Sequence, residues 1–183
     1  MSRNYKMHNP EGIYFLTFTV VGWIDIFTRL VYKEILIDSF RHCISNKGLR
    51  MHAWVIMSNH VHLIASAEQN NLPDVVRDLK KFTSKRIIEE ITANPQESRK
   101  EWMLAIFKNA GSYNRNNKEY QFWQQHSNKP VELYSKEVMQ QKLNYIHDNP
   151  VMAGFVTSPE YYPFSSCIDY AGSKGLLEID FLL

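Results

Sequence analysis

Two apolar segments joined by a two-residue turn constrain the fold of this chain more than any other feature. Residues 49–57 (LRMHAWVIM) and 60–66 (HVHLIAS) are rich in β-branched and aromatic residues, and Ser58 and Asn59 separate them. Such segments with so short a connection predict an antiparallel β-hairpin. A hairpin alone is marginally stable in water, so we expect it to lie within a larger sheet that other elements cover.

The segments around the hairpin predict an α+β domain. Residues 12–21 (GIYFLTFTVV) indicate a strand, and residues 32–48 repeat apolar side chains every three or four positions, as a helix does. Residues 72–91 and 135–149 predict two more helices, the last ended by Pro150. This order matches the split β-α-β unit. We therefore predict a ferredoxin-like antiparallel sheet with helices on one face, plus a C-terminal helix that carries Tyr145.

Length, charge and cysteine content limit the class of protein. The 183 residues fit one domain, 1–183, with a mobile insertion expected at about 94–119, where an amphipathic piece meets a polar run. No apolar run reaches the roughly 18 residues of a membrane span, and no apolar N-terminal segment suggests secretion. Two cysteines favour a reducing cytoplasm, without a membrane partner. The net charge of +2 does not by itself indicate nucleic-acid binding.

The histidines at the start of the second hairpin strand form a candidate metal site. His60 and His62 point to one face of the strand, about 6–7 Å apart, and could converge on one cation. A pair of solvated histidines would explain the same spacing. No further Cys or His stands at zinc-like spacing, which disfavours a closed zinc site. Open coordination positions suit exchangeable Mg²⁺ or Mn²⁺, which can act as a Lewis acid on a phosphoryl oxygen.

The last predicted helix carries a candidate nucleophile. Tyr145 lies at the edge of the apolar stripe, and Asn149 follows one turn later on the same side. A phenol there could attack a phosphate that a cation polarises, with Asn149 as a carboxamide metal ligand. An ordinary boundary tyrosine, with Asn149 as a turn former before Pro150, is the alternative.

The second predicted helix carries a basic stripe. Lys81 and Lys85 share one helix face, and a stripe of this kind neutralises DNA phosphates. A solvated face balanced by Asp78, Glu89 and Glu90 is the alternative reading. The candidate DNA-binding residues are Arg77, Lys80, Lys81, Lys85 and Arg86. Four aromatic residues could stack on unpaired bases or belong to the core: Tyr113, Tyr120, Phe122 and Trp123.

Three motifs in this order resemble the single-tyrosine HUH transposases, and within them the REP-associated tyrosine transposases. They are NHVHLI at 59–64, YIHDNPVMAGFV at 145–156 and YYPFSS at 161–166, and the resemblance extends from about residue 14 to 170. It implies that His60 and His62 bind the metal and that Tyr145 is the nucleophile. Asn149 stands where the insertion-sequence enzymes often carry a glutamine that is a third metal ligand.

The resemblance implies an enzyme that nicks and rejoins single-stranded DNA. Tyr145 would form a 5′-phosphotyrosine bond and free a 3′-hydroxyl, so that no ATP is required, and no P-loop motif is present. The implied partner is single-stranded or hairpin DNA. A second copy of the chain is a further possible partner, because the insertion-sequence relatives are dimers, whereas the REP-associated relatives could work as monomers. The implied location is the bacterial cytoplasm, at the nucleoid.

Two departures from the family pattern keep other interpretations open. Asparagine at position 149 is one methylene shorter than glutamine, and the segment after Trp123 and Gln124 lacks arginine. One alternative is a DNA-binding module without catalysis, and another is a metal-dependent hydrolase that uses an activated water. Tyr120, which has Gln124 four residues on, is a second candidate nucleophile.

Overall fold

The hairpin belongs to a four-stranded antiparallel sheet in the computed structural model, which describes residues 7–114, 119–125 and 129–182. The strands run in the spatial order β2-β3-β1-β4, with all neighbours antiparallel. This is the order of the split β-α-β fold, so the predicted ferredoxin-like architecture is confirmed. The elements are β1 (Tyr14–Thr19), α1 (Leu30–Lys47), β2 (Leu49–Ile56), β3 (His60–Ala67), α2 (Leu72–Ala93), α3 (Lys100–Ser112), β4 (Val131–Glu132), α4 (Lys136–Met152) and α5 (Cys167–Tyr170).

One face of the sheet packs against α1 and α2 to form a first core. Val61 and Leu63 alternate with the histidines along β3 and point into this core, where both are fully buried. Leu36 from α1 and Leu79 from α2 meet them there. Gly48 ends α1 in the left-handed conformation, with φ of 64°, and so permits the immediate turn into β2. The apolar periodicities in the sequence therefore identify this core correctly.

The other face of the sheet packs against α4 to form a second core. Phe15 and Ile64 point to this face, and Leu143 and Ile146 of α4 cover them. The Ser135 hydroxyl accepts a hydrogen bond from Val138 N and caps the helix. Helices α1 and α2 thus share one face of the sheet. Helix α4 covers the other face, and the side chains of His60 and His62 point to that face, because they alternate in phase with Ile64 along β3.

The tail of the chain pairs with the free edge of β2. Trp54 O accepts a hydrogen bond from Ser166 N at 2.9 Å, and Ile56 N donates to Phe164 O at 2.9 Å. The Tyr162 hydroxyl donates to Ile56 O at 2.8 Å. Ser166 Oγ also accepts from Trp54 N at 3.0 Å. The motif YYPFSS therefore acts structurally, as an added edge segment that holds the sheet and α4 together.

Two boundaries differ from those expected. Helix α4 continues through Pro150 to Met152, although we expected it to end there. A proline in the last turn removes a single N–H bond, and the backbone bonds from Ala153 to Asn149 and from Phe155 to Pro150 still close the helix end. Strand β4 was not expected at all, because it has only two residues and follows a proline. It extends the sheet beside Tyr14 and Phe15.

Part of the expected insertion is a packed helix. Met103 and Phe107 of α3 are completely buried in the first core. Gly111 lies so close to the carbonyl of Glu119 that a β-carbon would come within 2.3 Å of that oxygen, so only glycine fits. Residues 100–112 are therefore part of the core, residues 115–118 lie outside the described chain, and the mobility of segment 94–119 stays a prediction.

In the described part of the chain, no helix combines the length and the apolar character that crossing a bilayer requires. Cys43 is buried and Cys167 is partly buried, and both are free thiols.

Candidate metal and nucleophile site

The two histidines of β3 project from the same face of the sheet, as their spacing predicts. Their ring centroids are 4.7 Å apart, and the rings meet edge to face. His62 is 5% exposed and stacks on Phe15 of the neighbouring strand at 5.2 Å. His60 lies nearer the strand end and is partly buried. The rings are thus close enough for their nitrogens to share one cation.

Asn59 determines which nitrogen of His60 is free. Asn59 Nδ2 donates to the carbonyl of Trp23 at 3.3 Å, which orients the amide, and Asn59 Oδ1 lies 2.6 Å from His60 Nδ1. A carboxamide oxygen only accepts hydrogen bonds, so His60 Nδ1 carries the proton and donates it. The lone pair of the neutral ring is therefore on Nε2, the nitrogen available to a metal.

Nε2 of His62 is buried and has no hydrogen-bond partner among the residues that the structure describes. Its Nδ1 lies 2.9 Å from the hydroxyl oxygen of Thr17, the residue directly opposite on β1. Its Nε2 is shielded from solvent and has no hydrogen bond to any residue in the ranges 7–114, 119–125 and 129–182. Leaving such an atom unsatisfied costs about 1–3 kcal/mol, so the arrangement requires an explanation. One explanation is that Nε2 binds a metal ion while Nδ1 donates a hydrogen bond to Thr17, which holds the ring in position.

Both imidazoles are neutral at physiological pH. Burial, together with the positive charges of His60 and Lys142, lowers the pKa of His62 to about 3. Burial also lowers the pKa of His60. A histidine binds a cation only in its neutral form, so the buried setting favours the state that metal binding needs.

Tyr145 lies beside the histidine pair in the same chain. Its ring centroid is 5.2 Å from that of His62 and 5.9 Å from that of Phe15, and the residue is 48% exposed. Lys142, one turn earlier on α4, places its ammonium 5.5 Å from the Tyr145 ring centroid. The structure therefore brings together a phenol, two neutral imidazoles and a cationic side chain that are distant in sequence.

The remaining polar residues of α4 have different surroundings. Asn149 is partly buried one turn after Tyr145 and makes no side-chain hydrogen bond to either histidine within the described residues. In the same described ranges, no third His, Cys, Asp or Glu joins the pair. His147 points to the tail instead, with Nε2 3.0 Å from Ser166 Oγ and its ring against Tyr170. His147 thus fixes α4 to the sheet and takes no part in the site.

The basic stripe of α2 lies across the sheet from the histidines, because α2 covers the first core. Arg77 pairs with Asp74 and Asp78, and Lys85 and Arg86 both pair with Glu89. Lys80 rests over the ring of Phe18 at 5.2 Å, and burial lowers its pKa to about 8. Lys81 is exposed and forms no ion pair among the described residues. The stripe is therefore separate from the site and partly neutralised.

The aromatic residues fall into two groups. Phe122 and Trp123 are buried in the first core, and Tyr120 packs against it, away from the histidines. Tyr113 is 84% exposed at the end of α3. Sequence reasoning missed Trp23, which is exposed with its ring 6.4 Å from that of His60. It also missed Thr17, Asn59 and Lys142; the strand register and the helical spacing to Tyr145 would have indicated Thr17 and Lys142.

The fold corresponds to that of a known class of DNA-processing enzymes. The solved structure of a REP-associated tyrosine transposase bound to a REP hairpin superposes with a TM-score of 0.64. The match covers 100% of this chain and 94% of that one, at 16% sequence identity. No curated protein matches the sequence.

The sequence also matches a defined family. The model of the IS200-like transposases matches residues 16–108, just over half of the chain, which includes the histidine pair. The chain belongs to the IS200-like transposase family. The family match and the shared fold confirm the resemblance to tyrosine transposases that the three motifs indicated.

Proposed function

We propose that this protein nicks and rejoins single-stranded DNA with Tyr145 as the nucleophile. The observation that carries the proposal is that the rings of His62 and Tyr145 lie 5.2 Å apart on one face of the sheet, and that Nε2 of His62 is buried with no partner among the described residues. Two neutral imidazoles can hold a divalent cation, and a tyrosine can act as the nucleophile of a metal-assisted phosphoryl transfer.

The donor set fits a divalent cation. His60 and His62 would hold Mg²⁺ or Mn²⁺, with Asn149 as an oxygen ligand one helical turn from Tyr145. When bound, the cation would polarise the scissile phosphate. Asn59 and Thr17 hold the imidazoles in orientation through their Nδ1 atoms, and Lys142 adds positive charge close to both Tyr145 and His62.

The reaction exchanges one phosphodiester for another. The Tyr145 oxygen attacks the phosphorus, the bond from phosphorus to the 3′ oxygen breaks, and the 5′ phosphate remains on the tyrosine. The phenol gives up its proton to solvent, and the leaving 3′ oxygen takes one up to become a hydroxyl. Attack of that hydroxyl, or of another, on the phosphotyrosine rejoins a strand. The bond energy is retained, so no nucleotide cofactor is needed.

The substrate we propose is a single strand flanked by a hairpin. A relative with the same fold is bound to a REP hairpin, which supports this choice. The strand would cross the histidine face near Lys142, whereas Arg77, Lys80, Lys81, Lys85 and Arg86 on α2 would contact phosphates elsewhere, such as those of the duplex stem. The protein would act in the bacterial cytoplasm at the nucleoid, as a monomer or as a homodimer.

A single assay tests this function. Hairpin DNA with labelled single-stranded flanks is incubated with the protein and Mn²⁺, and the mixture is separated under denaturing conditions. We expect a labelled covalent protein–DNA adduct, absent with EDTA and absent in Tyr145→Phe. Tyr120→Phe is the matched control and should retain the adduct, because Tyr120 packs against the first core.

The other outcomes identify the alternatives. DNA cleavage that persists in Tyr145→Phe, without an adduct, would indicate a hydrolase that uses water. Binding without cleavage in the wild type, under Mg²⁺ and Mn²⁺ alike, would indicate a DNA-binding module. Either result would overturn the role we propose for Tyr145.

A further inference from the structure

An exposed tryptophan stands beside the histidine pair, and the proposed chemistry does not use it. Trp23 is 60% exposed, although tryptophan is highly buried on average in folded proteins. Its ring lies 6.4 Å from that of His60, with the edge of one ring toward the other. The other two tryptophans of the sheet region, Trp54 and Trp123, are buried in the first core. Trp102 on α3 is also exposed, at 53%, so Trp23 is distinguished by its position next to His60 at the border of the candidate site.

The backbone at Trp23 is held in an unfavourable conformation. Its φ is 55°, a left-handed value that bulky residues seldom adopt and that glycine adopts freely. Gly22 before it has φ of 67°, so the chain makes a sharp turn directly after β1. Trp23 N donates to Val20 O at 3.0 Å, and Trp23 O accepts from Asn59 Nδ2 at 3.3 Å. Strain of this kind persists where the surroundings fix it, and it is concentrated at functional sites.

Asn59 connects this turn to the metal ligand. The same carboxamide donates to the Trp23 carbonyl and accepts from His60 Nδ1. The backbone of Trp23 and the imidazole of His60 are thus both bound to one side chain between them. A DNA strand whose phosphate lies at the histidines would bring a neighbouring base to the tryptophan.

We propose that Trp23 is a stacking platform for an unpaired nucleobase next to the scissile phosphate. This inference rests on the proposed function, because the base belongs to the strand that Tyr145 attacks. Every base has a π face, so an exposed indole can hold a base of any sequence and position the strand without reading it. Trp23 is then a binding and positioning residue, while Tyr145 remains the catalytic one.

Equilibrium binding without divalent metal tests the platform. Labelled hairpin DNA with single-stranded flanks is titrated in EDTA with wild type, Trp23→Gly, Trp23→Ala and Trp23→Phe. We expect the glycine and alanine variants to bind about 5- to 150-fold more weakly, the range that base–aromatic stacking supports, and phenylalanine to retain most of the affinity. Phe181→Ala is the matched control, because Phe181 is 56% exposed beside Tyr170 in the tail and should leave affinity unchanged.

Thermal unfolding separates stacking from a folding defect. Glycine adopts a positive φ without strain, so Trp23→Gly should be at least as stable as Trp23→Ala. A variant that keeps its stability and loses affinity has lost a contact with DNA. The platform would be contradicted if Trp23→Gly bound weakly and had a much lower melting temperature, and if Trp23→Phe showed both of these effects as well.

A series of abasic substitutions locates the base. One nucleotide at a time beside the hairpin is replaced by an abasic unit. At one position, we expect the abasic unit to lower the affinity of the wild type by as much as the Trp23→Gly substitution lowers it on intact DNA. At that position the abasic unit should not lower the affinity of Trp23→Gly any further. Equal losses in both proteins at every position would overturn the proposal, as would unchanged affinity of Trp23→Gly. A wild type that binds but forms no adduct refutes the chemistry of Tyr145 alone, and one that binds none of the DNA refutes both.

Discussion

The carboxamide oxygen of Asn59 lies 2.6 Å from Nδ1 of His60 and so fixes the tautomer of a candidate metal ligand. Thr17 holds the neighbouring His62 in the same way, through a hydroxyl 2.9 Å from Nδ1. The two rings thus have similar supports, one from the turn before β3 and one from the adjacent strand. Their ability to bind a cation depends on these two polar neighbours as well as on the imidazoles.

Removing the support of His60 should weaken metal binding. We expect Asn59→Ala to lower Mn²⁺ affinity about 10- to 100-fold, because an unsupported imidazole is free to rotate and to change tautomer. Isothermal titration calorimetry of the DNA-free protein measures this. Asn59→Asp keeps an acceptor for Nδ1 and should restore affinity, while Asn46→Ala, on α1, should have no effect. Unchanged affinity in Asn59→Ala would show that Asn59 does not position His60.

Replacing His62 with an apolar residue should have opposite effects on stability and activity. His62→Leu removes the unpartnered Nε2 and loses only one hydrogen bond, so we expect the metal-free protein to gain about 1 kcal/mol in free energy of unfolding. Adduct formation should be abolished. Urea unfolding in EDTA measures the first effect.

The control for this change is His147→Leu, which should destabilise the protein because it breaks the bond to Ser166. Destabilisation of similar size in both variants would mean that His62 has an ordinary structural role.

The protein should lose stability in mild acid. Burial lowers the pKa of His147 to about 4, against about 6.5 in the unfolded chain, so between these values the unfolded state binds the extra proton. The contribution of His147 to the free energy of unfolding is fully present above pH 6.5 and declines as the pH falls toward 4. We expect His147→Gln to reduce the loss between pH 7 and pH 5 by about 2 kcal/mol.

Urea unfolding at both pH values measures that difference. Burial also lowers the pKa of His52, so the variant should keep part of the decline. The same pH dependence in wild type and His147→Gln would show that His147 is not the titrating group.

The positive charge on α2 should affect the affinity for DNA and should not affect the rate of adduct formation. Lys81 is exposed and unpaired among the described residues, so we expect Lys81→Ala to reduce the slope of log affinity against log salt by about 0.7 to 0.9, the value of one phosphate contact. The rate of adduct formation at saturating DNA should not change. Lys142→Ala, beside Tyr145, should reduce that rate. An unaltered salt slope in Lys81→Ala would remove α2 from the DNA interface.

The sequence predicts the parts of the site that follow from periodicity. The alternation of β3 places His60 and His62 together, and the helical spacing of α4 places Tyr145 beside its apolar stripe. Periodicity does not say which face of the sheet α4 covers. That depends on the tail, whose contacts with β2 and His147 are long-range and have no local pattern.

The sequence is less informative where backbone geometry or pairing decides the outcome. Trp23 and Asn59 border the site because a left-handed turn brings them there, and nothing in composition indicates that turn. The basic stripe on α2 is visible as a pattern of charges, yet its separation from the histidines follows only from the packing of α2 on the first core. Strand β4 is too short to have a periodicity.

The tail segment that pairs with Trp54 and Ile56 also limits how two copies of this chain could associate. It occupies the outer edge of β2 from Trp54 to Ile56, so a neighbouring sheet cannot pair with the backbone there. A twofold assembly that joined two sheets at this end of β2 would therefore have to displace the tail. A chain truncated before Tyr162 would expose an apolar strand border, and with it a route to self-adhesion that the intact protein blocks.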